Sequence, residues 1–468
     1  METAMSETLN RISLDDPAHR IVDALAAGKV SALELADDAI ARIEARDGPI
    51  NAVVVRDFDR ARDAARQADA ALARGERRPL LGLPMTVKES HDVAGLKTTW
   101  GFEWAKDHVA AQDAVGIARL KAAGAVILGK TNIPVGLGDW QSVNPIYGRT
   151  QNPYDLTRGP GGSSGGGAAA LAAGMVPLEY GSDIGGSIRI PAAFCGVYGH
   201  KPSLDLIPGR GHAPAGAQGT PPPLAVVGPL ARTAADLTLA LDVLAGPDIP
   251  LSKGYRLDQP AARHGRLADF RVLVLTGHPS APLDSEIRLA LEGLAANLEK
   301  LGAKVQRSNA ALPDLAKQQE AYGALLGVAM ALRAPEKPTT TAVEWIAMLD
   351  TQMAFRRQWA ALFETVDVVL APSFGQVAFA HVAEDPNTRT LSIDGQPTPY
   401  FAQLAWPGLA TFPNLPATAV PIGQTKAGQT NAGLPIGAQI IGAFLEDRTT
   451  LAFAELLERE FGGFRPPT

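Results

Sequence analysis

Ser187 closes the run Gly181-Ser-Asp-Ile-Gly-Gly-Ser187, and Ser163 lies inside Gly161-Gly-Ser-Ser-Gly-Gly-Gly167. A serine hydroxyl is a poor nucleophile at its free pKa and needs a base within hydrogen-bond reach. Neither run contains a histidine. Lys88, at the end of Leu83-Pro-Met-Thr-Val-Lys88, can be that base only if neutral, and desolvation in a closed site is the main route to a neutral lysine. Its predecessors Met85, Thr86 and Val87 are uncharged, which permits such burial. Ser187 follows Gly185 and Gly186, and successive glycines let backbone N–H groups converge on a point charge, as in an oxyanion hole. Asp183 and Arg189 flank this loop and read as a supporting charge pair, while Ser164 reads as a hydrogen-bonding support for the Ser163 loop. Cys195, between Phe194 and Gly196, reads as a small core residue.

Two familiar patterns match formally. Gly124-Ala-Val-Ile-Leu-Gly-Lys130-Thr131 fits a nucleotide-binding P-loop, but its four middle residues are apolar and β-prone where a phosphate cradle needs exposed backbone. A strand over Ala125–Leu128, with a loop from Gly129, is the expectation. Gly161–Gly165 fits the G-x-S-x-G nucleophile elbow, which calls for a downstream acid and histidine. His200, His212, His264, His278 and His381 are available, and none is marked out by its surroundings.

The combination of these motifs is specific. Lys88, the Ser163 and Ser187 runs, Ala123-Gly-Ala-Val-Ile-Leu-Gly-Lys-Thr-Asn132, Pro191-Ala-Ala-Phe-Cys-Gly-Val-Tyr-Gly-His-Lys-Pro202 and Val227-Gly-Pro-Leu-Ala-Arg-Thr233 are all present. Together they resemble the amidase signature family over most of residues 20–245, with a similar style from Val366 on. The resemblance implies an α/β fold with a large, central, mixed and twisted β-sheet covered by helices on both faces. It implies Ser187 as nucleophile, Ser163, on a cis peptide, as proton relay, and Lys88 as base. It places the oxyanion donors at Ile184, Gly185, Gly186 and Ser187. The chemistry is then amide-type C–N cleavage through an acyl-enzyme, with no metal or organic cofactor. A carbamate would pass through the same steps. The family also contains the glutaminase subunit of a tRNA-dependent amidotransferase, where the residue after the Ser-Ile-Arg run is typically glutamine; here it is Ile190, followed downstream by a proline-rich insert. A free-standing hydrolase of anilides, other small amides, carbamates or esters is the preferred reading. A non-catalytic scaffold is disfavoured because Lys88, Ser163 and Ser187 are all present.

The elements that must carry these groups follow from periodicity. Helices are expected over Ala18–Arg46, broken near Gly28, and over Phe58–Arg74, Ala114–Ala123, Ala168–Ala173, Ile287–Leu301 and Arg448–Phe461. Strands are expected over Leu80–Val87, entering a loop that carries Lys88, and over Phe270–Leu275, Val366–Ala371 and Ile436–Ile441. One domain over 1–468 is expected, with core segments 18–245 and 266–468 joined by a surface loop or linker at 246–265. The substrate cleft is expected from loops at Gly136–Gln141, Ile207–Pro223, Ser373–His381 and Tyr400–Pro407. Pro208, Pro214, Pro221, Pro222, Pro223, Phe374, Phe379, Tyr400, Phe401 and Trp406 would make it apolar, suited to a small amide or carbamate bearing an apolar or aromatic group, while any single aromatic among them fits the core equally well.

At 468 residues, 46% apolar and 20% charged, the chain can bury a large core. A net charge of -6, without a basic run, argues against nucleic acid. One cysteine excludes an internal disulfide and fits a reducing cytoplasm. Met1–Asp16 lacks a signal-peptide pattern, and no apolar run approaches membrane-spanning length, so no membrane partner is expected. A monomer or homodimer is expected.

Overall fold

The computed structural model describes residues 12–217, 222–331, 340–426 and 433–467. Eleven strands form one sheet. These are β1 (Val53–Arg56), β2 (Pro84–Lys88), β3 (Val126–Thr131), β6 (Leu178–Asp183), β7 (Tyr198–Lys201), β8 (Val226–Ala231), β9 (Arg271–Val274), β10 (Lys304–Gln306), β11 (Val368–Pro372), β14 (Ala417–Gln424) and β15 (Pro435–Ile441). Two small hairpins lie outside it, β4 (Val143–Asn144) with β5 (Gly148–Arg149), and β12 (Thr390–Ile393) with β13 (Gln396–Pro399). The order is β1-β3-β2-β6-β8-β7-β14-β15-β11-β9-β10, so segments on both sides of residues 246–265 enter the same sheet. The sheet is mixed: β3, β2 and β6 run parallel, as do β11, β9 and β10, and the middle strands are antiparallel. Every residue of β2, β3, β6, β8, β11 and β15 is buried. Burial on both faces explains why these strands read as continuous runs rather than alternating ones.

The helices follow the apolar periodicity closely. Ala18–Ala26 ends before Gly28, which has φ +69°, and Ala32–Ile50 restarts from Ser31. Ser31 caps it reciprocally: its hydroxyl accepts from the Glu34 N–H at 3.1 Å while the Glu34 carboxylate accepts from the Ser31 N–H at 2.8 Å. The expected helices at 58–74, 114–123, 287–301 and 448–461 are Phe58–Ala73, Val115–Ala122, Ser285–Lys300 and Asp447–Phe461. The strands expected at 270–275, 366–371 and 436–441 are β9, β11 and β15.

Two local expectations are corrected. Lys88 is not in a loop; it is the last residue of β2, paired with Thr131 of β3. The Gly129-Lys-Thr131 segment is likewise not a loop but the end of β3. Its polar side chains have buried partners that the sequence does not display. Lys130 Nζ donates to Thr98 Oγ1 at 2.8 Å and to the Lys97 carbonyl, and the Thr131 hydroxyl donates to Glu179 at 2.7 Å. With every residue from Val126 to Thr131 in a buried strand, the P-loop pattern has no exposed cradle.

Because β2 and β6 are parallel neighbours, their carboxyl ends share one sheet edge and bring Lys88 beside Ser182 and Asp183. The wholly buried helix Gly165–Ala172, preceded by Ser163 and Ser164, runs against this edge. Its small residues are required by contact distance: a Cβ on Gly166 would lie 2.3 Å from the Asn132 nitrogen and one on Gly167 2.5 Å from Glu179 Cγ. Gly166→Ala is therefore expected to destabilise the protein by about 1–3 kcal/mol through overpacking, read as a lower denaturant midpoint with an unchanged m-value.

Candidate active site

Lys88 is fully buried, Ser163 is 1% exposed and Ser187 5%, so all three side chains are buried, Ser187 the least. Lys88 Nζ lies 2.7 Å from Ser163 Oγ, 2.9 Å from Ser182 Oγ and 3.4 Å from the Ser182 carbonyl. Ser163 follows a cis peptide from Gly162. The N–H of Ser164 donates to the Ser187 carbonyl at 3.1 Å, which ties the two serine loops together, and the Ser164 hydroxyl donates to the Ser182 carbonyl at 3.2 Å. A Cβ on Gly162 would sit 2.5 Å from the Asp139 carbonyl, so only glycine lets that backbone lie against the Ser163 loop.

Asp183 organises the turn before Ser187. Its carboxylate accepts from the N–H groups of Gly186 at 2.9 Å and Ile188 at 3.0 Å, and receives Arg189 through Nη2 at 3.0 Å and Nε at 3.1 Å. Both side chains are fully buried. Burial alone would raise the Asp183 carboxyl, but the charge and hydrogen bonds of Arg189 outweigh it and hold the group down at about 2. Arg189 also donates to the Pro407 carbonyl at 3.0 Å, Thr411 Oγ1 at 2.8 Å and Gln439 Oε1 at 2.6 Å. The guanidinium thus fastens the Ser187 loop to helix Ala405–Thr411 and to β15.

The carbonyls of this turn are all engaged. That of Ile184 accepts from the Tyr322 hydroxyl at 2.8 Å, that of Gly185 from Trp140 Nε1 at 2.9 Å and that of Gly186 from the Ile190 N–H at 2.7 Å. The Gly186 N–H, expected among the anion-binding donors, is instead taken by Asp183. Those of Ile184, Gly185 and Ser187 make no hydrogen bond among the described residues. Gly186 has φ +91°, a left-handed conformation that favours glycine.

Several neighbours were not singled out by sequence. His91, three residues beyond Lys88, is buried, lies 3.2 Å from the Gly181 carbonyl through Nε2 and stacks on Tyr180 with ring centroids 4.3 Å apart. Burial lowers its pKa to about 3 and keeps the imidazole neutral. Glu179 lies beneath, accepting from the hydroxyls of Thr86 and Thr131, and burial pushes its carboxyl up to about 7. Trp140 belongs to a buried aromatic cluster with Ile190, Phe194, Phe374, Phe379 and Tyr400. The cluster is closed by Arg389, which pairs with Asp139 at 2.9 Å while the Tyr400 hydroxyl donates to Asp139 at 2.6 Å. The β12–β13 hairpin lies between Arg389 and Tyr400, so a hairpin far along the chain braces the Trp140 loop.

The elbow histidines have partners other than Ser163 and Ser187, and His212 packs on His91 with ring centroids 4.7 Å apart. Buried His200 sits 3.1 Å from Asp447, but Asp447 stands between it and Ser203, an order in which the imidazole cannot serve that serine. His264 pairs with Asp367, His278 with the Ser280 N–H and His381 with Gln151. His212 lies 3.0 Å from Ser90 Oγ. Cys195 is fully buried, with burial pushing its thiol up. Of the expected cleft residues, Phe374, Phe379 and Tyr400 are in the aromatic cluster and Phe401 packs on it. Trp406 is instead core, fully buried among Leu409, Ala410 and Ile436. Pro208, Pro214, Pro222 and Pro223 are half-buried, and Pro221 lies outside the described residues.

A buried Ser-Lys pair, a second serine behind a glycine turn and N–H groups of that turn with no hydrogen bond among the described residues are the makings of a serine hydrolase type of site. Comparison with known proteins gives the family. The Amidase family model matches residues 34–334 and 326–451, and the chain belongs to the amidase signature family of hydrolases. It is 32% identical to one of the subunits of the glutamyl-tRNA(Gln) amidotransferase from Roseiflexus castenholzii, with 93% of this chain and 94% of that one covered. It is 33% identical to a putative amidase, AmiB2, of Mycobacterium bovis, over 93% and 94% of the two chains. A bacterial aryl acylamidase structure superimposes with a TM-score of 0.79 at 27% identity, covering 96% of each chain.

Asp183 carries a testable pH dependence. Its pKa is depressed from 3.8, so its contribution to stability is complete above 3.8 and is lost as pH falls through about 2. Asp183→Asn is expected to cost about 3–5 kcal/mol at neutral pH, because it leaves Arg189 buried without its counter-charge, and to flatten the acid limb of stability measured by urea unfolding.

Proposed function

We propose that the protein is a free-standing amidohydrolase that cleaves small amide-type C–N bonds through an acyl-enzyme on Ser187. The observation that carries this reading is Lys88, wholly buried and 2.7 Å from the Ser163 hydroxyl, at the edge where the Ser187 loop is tied to Ser164. In the cycle, neutral Lys88 draws the Ser187 proton through Ser163 as the serine oxygen attacks the substrate carbonyl. The negative oxygen of the tetrahedral intermediate is received by the N–H groups of Ile184, Gly185 and Ser187, with Gly186 left to hold Asp183. The relay then delivers its proton to the departing amine. Water, activated by the reverse path, releases the acyl group and restores Ser187.

The side chains packed beside the anion-binding turn support an apolar acyl side. Ile190 and Trp140 are buried beside the anion-binding turn, and Leu404 Cδ2 would lie 3.2 Å from a Cβ on Gly185. This wall supports an apolar or aromatic acyl group, hence anilides and other small amides, with carbamates and esters open to the same steps. A second reading, the glutaminase subunit of a tRNA-dependent amidotransferase, is favoured by relatives such as the Roseiflexus protein. The apolar Ile190, where the family's glutaminases typically carry glutamine, weighs against it. The two readings separate on substrate: the first expects turnover of a nitroanilide by the isolated chain, the second turnover of glutamine.

A fluorophosphonate serine probe is expected to label the protein at Ser187, and Ser187→Ala to abolish both labelling and nitroanilide hydrolysis; undiminished turnover by the variant would overturn the assignment. Lys88→Ala is expected to lower kcat by about 10²–10⁴-fold, the span of a general base, and to alter the pH–rate profile, with the folded state checked by circular dichroism. An unchanged profile would contradict the base role.

A further inference from the structure

The backbone of the anion-binding turn cannot aim its own donors, because the glycines that permit its shape also leave its peptide planes free to rotate. Each peptide from Ile184 to Ser187 is trans, so its C=O and the following N–H point in opposite directions. Fixing a carbonyl on one side therefore aims an N–H to the other. The Gly185–Gly186 peptide is held at both ends, by Trp140 Nε1 on its carbonyl and by Asp183 on its N–H. The Gly186–Ser187 peptide is held at its carbonyl by the Ile190 N–H. The Ile184–Gly185 peptide is held at its carbonyl by a side chain from far along the sequence, the Tyr322 hydroxyl at 2.8 Å, while the Gly185 N–H makes no hydrogen bond among the described residues.

We propose that Tyr322 is a positioning residue for catalysis: its hydroxyl, by holding the Ile184 carbonyl, aims the Gly185 N–H at the oxyanion. The proposal rests on the reading of Ser187 as the nucleophile. Three observations fit a positioning role. Tyr322 is fully buried on helix Leu315–Ala331, in an apolar cluster with Leu325, Phe355 and Phe412. Gly408 faces the ring so closely that a Cβ there would fall 2.8 Å from Tyr322 Cδ1, which leaves the ring little room to shift. Burial and the nearby Asp183 charge push the phenol pKa up, so the hydroxyl keeps the proton it donates. Phenylalanine would preserve the packing and remove only the donor. Helix Leu315–Ala331 reaches this turn through the hydroxyl, which makes the anion-binding strength depend on how that helix docks.

The test compares Tyr322→Phe with wild type and with Phe412→Leu, which loosens the same apolar cluster without touching the hydroxyl. Three quantities are read: kcat and KM for a nitroanilide, the inhibition constant of an aryl trifluoromethyl ketone, and the thermal midpoint. The ketone forms a tetrahedral oxyanion on Ser187 and so reports the anion-binding groups directly, whereas KM reports ground-state binding. In Tyr322→Phe, kcat and ketone affinity are expected to fall together by about 10–100-fold, below the loss for deleting a direct donor, with KM within about twofold. Phe412→Leu is expected to lower the thermal midpoint and leave both values near wild type. Unchanged kcat and ketone affinity in Tyr322→Phe would overturn the proposal, as would an equal loss in Phe412→Leu or a Tyr322→Phe protein that does not fold, since each makes Tyr322 a packing residue only. Turnover retained by Ser187→Ala would remove the underlying reading instead, so the two failures are distinguishable.

Discussion

The buried pair between Asp183 and Arg189 is the interaction on which the site's geometry rests. A buried ion pair is not in general a source of net stability, because desolvation offsets much of the attraction. Its value here is directional. Asp183 uses its oxygens on the N–H groups of Gly186 and Ile188, and Arg189 uses its remaining donors on Pro407, Thr411 and Gln439. One charge pair therefore shapes the turn before Ser187 and anchors it to elements more than two hundred residues away. Burial keeps both members away from competing water, so the geometry is held in a low-dielectric setting.

A second constraint is close approach. Ser163 reaches Lys88 because the helix behind it is built of glycine, alanine and one leucine, and Gly162 lets the Asp139–Trp140 backbone pass against its loop. The cost of glycine's flexibility is met by outside restraints: Trp140, Tyr322 and Asp183 each hold a peptide that the sequence leaves free. These restraints come from a loop, a helix and a strand end. The glycine turn before Ser187 and the residues packed on it, Trp140, Ile190 and Leu404, are thus brought together from different segments.

Much of the site was legible in the sequence because the motif residues are local to it. Asp183, Ser187 and Arg189 fall within seven positions, and their pairing needs only one turn of chain. The helices were legible for a related reason: their apolar spacing is a property of a few consecutive turns. The ends of β2 and β3 were not, because Lys88, Lys130 and Thr131 look like loop residues until Ser163, Thr98 and Glu179 arrive from elsewhere to accept their hydrogen bonds. Trp406 lies in the core, one of the two places the sequence left open for each aromatic, since an aromatic side chain carries no local mark of which face of its element is buried.

What the sequence determined by itself is the chemistry on offer: two serines in glycine-rich turns, a lysine after an uncharged run, and an acid-base pair close enough to fold on itself. Tertiary structure decided which groups meet and which way the peptides face. It gave the Gly186 N–H to Asp183 rather than to an anion, seated His91 as a neutral ring beside Lys88, and brought Tyr322 to the Ile184 carbonyl. The physical reason is that composition fixes which bonds a segment can make, whereas hydrogen-bond direction in a glycine turn depends on partners far along the chain.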